Sequence, residues 1–287
     1  MTTTEQDPYA LGRTPQEHER LLAQAQMWAD ATGRLFDRIG LAEGARCLDA
    51  GCGPGATMRQ LAYRVGPGGQ VTGLDVDAAL GARTESMLHG DGHRQCRFRA
   101  HDLTAAEPIP GGPYDLVFAR LLLFHLPERV AVLRRLWAAV GAGGHLVVQD
   151  YDLHVANVLP TLASVEEVVR VIRSAFAAAG CDDRAGAALG PLFAEAGVGA
   201  PDGTDVAGRI EPLARGRVLL EQTFRSLLPV ALGHGITTET AAADALAALH
   251  RDAEDHPDRP MTWPLMIGAW KRKEGDGDAP ATLPAVR

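Results

Sequence analysis

The feature that most constrains this chain is a glycine-rich turn, Asp49-Ala50-Gly51-Cys52-Gly53-Pro54-Gly55. It joins a short apolar run, Ala45 to Asp49, to a helical pattern, Ala56 to Val65. Glycines reach backbone conformations closed to other residues and let backbone N–H groups approach a ligand. A strand turning through glycines into a helix is the opening unit of an open α/β sheet. The unit then repeats. Gln70 to Asp75, Cys96 to Ala100, Tyr114 to Ala119 and His145 to Gln149 read as strands. A helix through Leu88 and another from Glu128 to Val140 fall between them, the latter stopped by Gly141. Strands alternating with helices predict a parallel sheet covered on both faces, with right-handed crossovers.

The flanks read differently. Thr14-Pro15-Gln16-Glu17 predicts a helix start, with Thr14 as cap, Pro15 at the first helical position and Glu17 closing a capping box; the helix should reach about Asp37. Ser164-Val165-Glu166-Glu167 is a second capping box, followed by an apolar stripe of Val165, Val168, Val169, Ile172 and Phe176. Helices also fit Leu189 to Ala196, Val218 to Leu232 and Thr240 to Ala253, and strands fit Asp205 to Ile210 and Leu265 to Trp270. From Glu274 the chain mixes Gly, Asp, Pro and Ala, and disorder is expected. The expected organisation is a helical cap over residues 1–44, an α/β ligand-binding core over 45–150, helical insertions with the last two strands over 151–273, and a tail over 274–287.

Composition removes several function classes. A net charge of −8 with no dense Lys/Arg stripe argues against a nucleic-acid partner. At 46% hydrophobic and 22% charged, the chain can bury a sizeable core. No apolar run approaches the roughly 18 residues that span a bilayer, and no signal peptide is read, so a cytoplasmic protein is expected. The four cysteines, Cys47, Cys52, Cys96 and Cys181, form no C-x-x-C pair; Cys47 and Cys96 are expected as buried thiols. His89, His93, His101 and His234 lack ligand spacing, so no metal is expected.

The turn itself admits more than one ligand. Gly51, Gly53 and Ala56 satisfy the dinucleotide pattern G-x-G-x-x-G/A, which keeps a nicotinamide or flavin cofactor in view. Against it, the Asp49 carboxylate would repel a pyrophosphate docked at the helix start, and Pro54 removes an N–H from the phosphate cradle. A ligand with a cationic ammonium and sulfonium suits Asp49 better. Asp75, at the end of the second strand, can accept both hydroxyls of a ribose from either cofactor type. Its alternative role is a helix N-cap, which Asp77 can supply instead.

Together, Asp49-x-Gly51-Cys52-Gly53-Pro54-Gly55 and Gly73-Leu74-Asp75-Val76-Asp77 resemble the first motif and its acidic partner in class I S-adenosylmethionine-dependent methyltransferases. His101-Asp102-Leu103-Thr104 resembles the stretch after the third strand that meets the adenine. Tyr114-Asp115-Leu116-Val117-Phe118-Ala119-Arg120, running into Leu123-Phe124-His125-Leu126-Pro127, resembles the fourth strand and the segment beneath the methyl donor. The resemblance implies a Rossmann-like sheet, mostly parallel with an antiparallel final strand, carrying helical insertions and an N-terminal helical cap. It implies that S-adenosylmethionine is held by Asp49, Gly51, Gly53 and Gly55 at its methionine end. Asp75 and Val76 would lie at its ribose and Asp102 and Leu103 at its adenine, with Arg120 and Tyr9 in contact as well. Quinone-biosynthetic and natural-product members are the nearest in character, through Tyr9, Gly12, Glu19, Arg20 and Leu21, the regions 152–180 and 214–255, and a final strand in Thr262 to Trp270.

Methyl transfer from a sulfonium is an in-line displacement that needs alignment and exclusion of water, with a base only where the acceptor enters protonated. Candidates are His125, which is otherwise structural or pocket-lining, and Tyr151, Asp152 and His154 after the fifth strand, which otherwise form a solvated loop. Arg120 can meet the cofactor, a substrate carboxylate or a surface partner. The stripes Val169 to Phe176 and Leu220 to Leu228 line an apolar acceptor pocket or pack the core. The expected activity is methyl transfer to a small, partly apolar acceptor, with O, N and C all open as the acceptor atom. The rival readings are an NAD(P)-dependent oxidoreductase and a non-catalytic S-adenosylmethionine-binding protein. The oligomeric state, a homodimer included, is open. Thermal unfolding separates the cofactors: S-adenosylmethionine raises the Tm of this protein and NADH does not, and the reverse result overturns the methyltransferase reading.

Overall fold

The computed structural model describes Leu11 and residues 14–275. In chain order, α1 (Pro15–Met27) and α2 (Ala29–Arg38) precede β1 (Arg46–Ala50), α3 (Ala56–Val65), β2 (Gln70–Asp75), α4 (Ala78–Gly90), β3 (Cys96–Ala100), β4 (Tyr114–Arg120), α5 (Arg129–Ala139) and β5 (Val140–Asp152). There follow β6 (Asn157–Val158), α6 (Ala163–Ala178), α7 (Leu189–Glu195), β7 (Gly203–Ala207), β8 (Ile210–Pro212), α8 (Leu213–Gly233), α9 (Glu239–Asp255), β9 (Pro260–Thr262) and β10 (Leu265–Arg272).

The main sheet has seven strands in the order β3-β2-β1-β4-β5-β10-β7. β1 to β5 pair in parallel, while β10 runs antiparallel to both β5 and β7. This is the mostly parallel sheet with an antiparallel final strand expected from the sequence. Its inner strands are apolar on both faces because both faces are covered. On one side Leu35 and Phe36 of α2 and Met58 and Leu61 of α3 pack on Phe118 and Val147. On the other, Leu133 and Leu136 of α5 and Phe193 of α7 pack on Val117 and Leu146. A third core joins Val168 and Phe176 of α6, Leu220, Phe224 and Leu227 of α8, and Leu249 of α9, and reaches Trp28. Chain order reverses between β1 and β4, so their carboxyl ends open a crevice where ligands bind in such sheets.

Four local expectations changed. The single helix from Thr14 is broken at Trp28 (φ −103°, ψ 6°), whose indole Nε1 donates to the Tyr151 hydroxyl at 2.6 Å. That bond draws the side chain onto β5 and stops the helix from continuing straight. Thr14 Oγ1 does accept from the Glu17 N–H (3.2 Å), but the Glu17 carboxylate turns to Arg20 instead of closing the box. Ser164 is not a cap: α6 begins one residue earlier, behind Leu162, and the Ser164 hydroxyl donates to Asp252 on α9. β5 extends to Asp152, so Tyr151 and Asp152 are buried strand residues and no solvated loop. A small sheet, β6-β9-β8, was not foreseen, its strands being only two or three residues long. Strand pairs this short have no legible period. The expected tail from Glu274 falls, beyond Gly275, outside the described residues.

Gly186 ties the segment after α6 to the end of β5, donating its N–H to the Tyr151 carbonyl at 2.9 Å. A Cβ there would collide with the Asp150 carbonyl, which is backbone and cannot yield cheaply. Gly190, in α7, has nothing within 4 Å of such a Cβ. Urea unfolding is expected to show Gly186→Ala destabilised by about 1–3 kcal/mol, whereas Gly190→Ala is neutral or stabilised by up to about 1 kcal/mol.

Candidate functional site

A cavity of about 500 Å³ lies over the carboxyl ends of the central strands. One end is built by the turn between β1 and α3. Gly51, Gly53 and Gly55 hold φ of 71°, 48° and 77°, which excludes most side chains. Gly51 and Cys52 donate their N–H groups to the Leu74 carbonyl (2.8 and 3.0 Å), pinning the turn to β2. A Cβ on Gly53 would meet only open space, while one on Gly55 would collide with Thr84 of α4. Gly55 therefore serves helix packing and does not line the cavity, unlike Gly51 and Gly53.

Asp49, 2% exposed, ends β1 beneath this turn. Burial pushes its carboxyl up to about 7, against the pull of Arg120 and of the Met58 N–H. Its Oδ2 has no hydrogen-bond partner among the described residues. Arg120 ends β4 and is half-buried; desolvation lowers its pKa, and Asp49 opposes that. It donates to Thr32 Oγ1 (3.0 Å), which donates in turn to Gln149 Oε1 (2.7 Å). Asp75 accepts from the Gly53 N–H (2.9 Å) and the Asp77 N–H (3.0 Å), whereas Asp77 caps α4 by accepting from the Leu80 N–H. Asp102 is held below the usual carboxylate range, chiefly by the Thr104 hydroxyl and N–H. Asp75, Val76, Asp102 and Leu103 all line the cavity. Tyr9 lies outside the described residues.

The other end of the cavity is apolar, with Val169, Ile172 and Phe176 from α6, Leu219 and Leu220 from α8, and Trp263. Both helix stripes read as pocket or core are thus shared between the two. Tyr151 borders this end, its oxygen accepting from Trp28 Nε1 (2.6 Å) and Gln24 Nε2 (3.1 Å), and burial pushes its hydroxyl up to about 12. His125 also lines it, with Nδ1 3.7 Å from Cys181 Sγ; burial, aided by Arg20, lowers its pKa to about 4. His154 does not line it: it pairs with Asp183 at 3.2 Å and abuts Arg173. Asp152 likewise turns away, capping the His154 N–H at 2.9 Å.

Residues 47–144 match a family model described as a methyltransferase domain. The chain is 36% identical over 118 residues to trans-aconitate 2-methyltransferase of Variovorax paradoxus, covering 41% of this chain and 43% of that protein. It is 30% identical over 141 residues to ubiquinone biosynthesis O-methyltransferase of Marinobacter nauticus, covering 48% and 57%. The fold matches the YcgJ protein of Bacillus subtilis with a TM-score of 0.55 at 13% identity, over 84% of this chain and 97% of that one. Residues 47–144 are thus similar to the class I S-adenosylmethionine-dependent methyltransferases. The chain spans about half the length of the curated relatives it matches.

The dinucleotide alternative is thereby set aside, and the arrangement of Asp49 and Arg120 agrees. A class I methyltransferase accommodates the amino-acid end of its cofactor, an ammonium beside a carboxylate. Asp49 and Arg120 bring opposite charges to one end of the cavity, and Asp49 Oδ2 is a buried acceptor without a partner among the described residues. Sequence reading missed Thr32, Gln149, Trp28 and Gln24, which fix Arg120 and Tyr151 from behind. Gln149 carried one signal, a polar residue closing the apolar run Leu146-Val147-Val148. The described residues hold no His/Cys/Asp/Glu group suited to a metal, and all four cysteines are free and buried. No described helix is long and apolar enough to cross a membrane.

Asp150, fully buried near the end of β5, is also raised to about 7, chiefly by burial. For both carboxyls the folded-state pKa exceeds the unfolded value, so folding favours the protonated form. Their stabilisation is fully present below about pH 4 and is lost as pH rises through 7. Between about pH 4 and 7 each group contributes a slope of about 1.4 kcal/mol per unit. Asp150→Asn should remove one such slope from unfolding free energies measured across that window.

Proposed function

We propose that this protein transfers the methyl group of S-adenosylmethionine to a small, largely apolar acceptor. The observation that carries this reading is one continuous cavity, acidic and glycine-lined over β1, β2 and β3, and apolar beneath α6 and α8. S-adenosylmethionine supplies an electrophilic methyl group on a sulfonium. Asp49 and the turn at Gly51 and Gly53 would hold its methionine end, with Arg120 toward the carboxylate. Asp75, with Val76 at the mouth, would hold the ribose, and Asp102 and Leu103 the adenine. Gly55 and Thr84 support the turn from outside the cavity.

Alignment is then the work of the protein. Residues 45–150 would bind the donor, residues 1–44 would cap it through α1 and α2, and residues 151–273 would close over the acceptor. Trp28, Phe176 and Trp263 exclude water from the space between donor and acceptor. Tyr151, a phenol to high pH, orients by hydrogen bonding and does not take up protons. His125, neutral across the working range, is a weak base at most. His154, outside the cavity, has no part in the chemistry.

Calorimetric titration with S-adenosylhomocysteine tests the donor half. Because Asp49 binds an ammonium only when ionised, affinity should fall about tenfold per pH unit below 7 and level off above it. Asp49→Asn should weaken binding and flatten that profile. Transfer of labelled methyl to a panel of acceptors tests the whole reading. Tight cofactor binding with no turnover on any acceptor would mark a member repurposed for binding alone.

A further inference from the structure

We propose that the acceptor enters the apolar chamber, and its methylated product leaves, between residues 153–162 and α6, with the contact of His154, Arg173 and Asp183 as the latch of that passage. This rests on the reading of the chamber as the acceptor's site and adds the route to it.

Behind the chamber wall lies a second hollow of about 420 Å³. It is lined in part by Glu166 and Arg170, both exposed on α6, so it faces solvent. Three residues line this hollow and the chamber alike: Ala156, Val169 and Arg173. A residue that borders two spaces is the whole thickness of the wall between them. At Ala156 that thickness is backbone and one methyl group. Val169 and Arg173 lie four residues apart, on one face of α6. Among the described residues, none that lines the outer hollow belongs to the glycine turn or to the acids over β1, β2 and β3. The passage therefore meets the chamber at the acceptor's end, and an acceptor can exchange while the cofactor stays in place.

This wall is held lightly. Leu153 donates its N–H to the Asp183 carbonyl at 2.9 Å, and Leu159 donates to the Pro260 carbonyl at 3.0 Å. Between these two ties, β6 pairs with β9 over only two residues. The side chains that span the passage are His154 from residues 153–162 and Arg173 from α6. Arg173 donates to Asp183 Oδ2 at 2.8 Å and lies 2.9 Å from His154 Nε2, which is 3.2 Å from Asp183 Oδ1. All three side chains are partly exposed, and ion pairs in that setting are cheap to break. Parting α6 from α8 instead would expose Val168, Phe176, Phe224 and Leu227, which are buried in one core. The chamber opens where opening costs least, and His154 serves exchange of the acceptor without touching the chemistry.

Exchange is measured with N-phenyl-1-naphthylamine, an uncharged apolar probe whose fluorescence rises on leaving water. It is mixed in stopped flow with the full chain saturated with S-adenosylhomocysteine. Glu166→Cys puts one reactive thiol in the outer hollow, since the four native cysteines are buried. Adamantyl maleimide attached there after folding should slow association and dissociation together, each by about tenfold or more, and leave Kd within about twofold. An obstacle on the path raises the barrier and leaves both end states alone. The same label on Glu254→Cys, exposed on α9, should change neither rate. His154→Ala should speed both rates by about threefold or more, again at constant Kd. The proposal is overturned by rates indifferent to the label at Glu166 or to loss of His154, and equally by a label that shifts Kd through dissociation alone. A protein that takes up no probe fails differently: it removes the reading of the chamber as an apolar site, and the passage with it.

Discussion

An ionisable carboxyl sits buried at the end of the central strand, and much of the site is arranged around it. Removing the Asp49 carboxylate from water is costly unless something opposes the charge. The protein opposes it only in part. Arg120 stands within electrostatic reach but forms no ion pair with it among the described residues, and one carboxyl oxygen has no partner. The chain keeps the charges apart by fixing Arg120 from the opposite side, through Thr32 of α2 and Gln149 of β5. The fold's stability and its binding capacity are therefore in tension at one strand end, a common condition of preorganised sites.

The strand–helix alternation was legible because the inner strands β1, β4 and β5 are largely buried on both faces and read as mostly apolar runs between glycine turns and helical patterns. β2, α3 and β3 fall where the pattern puts them. Asp49 and Asp75 were legible for a related reason: each lies at the carboxyl end of a strand, at the sheet's ligand-binding edge, so position and chemistry coincide. What stayed hidden depends on contacts between distant residues. Trp28 fell inside the one helix read from Thr14 to about Asp37 because its partner, Tyr151, is far away in sequence and meets it by a hydrogen bond. Ser164 carried the local chemistry of a cap, yet its hydroxyl is taken by Asp252. Gly55 fitted the motif as a ligand contact, and only the position of Thr84 shows what requires it to be glycine.

The second half was harder to read for function than for structure. Apolar stripes on α6 and α8 look the same whether they meet each other or a ligand. In the fold they do both, since Ile172, Phe176 and Leu220 belong to the third core and also line the cavity. A substitution there alters packing and pocket together, so stability and selectivity cannot be tuned independently at these positions.

Helix α1 shows how a cap can bring charge to an apolar chamber. Glu17 and Arg20 are both almost fully buried and joined by paired hydrogen bonds at 2.9 and 2.6 Å. A buried ion pair of this kind recovers little more than its own desolvation and is weak evidence for a stabilising role. What it achieves is placement. The spacing of three residues on one helical face fixes the guanidinium by its carboxylate, and Gln24, one turn further on, fixes the Tyr151 oxygen from the same face. The same short helix therefore sets a cation, a phenol and, through Trp28, the angle at which the chain returns to the sheet. Because Trp28 and Gln24 share one acceptor oxygen, the helix cannot slide along β5 without losing both bonds at once. That shared dependence is what makes a peripheral helix part of the site.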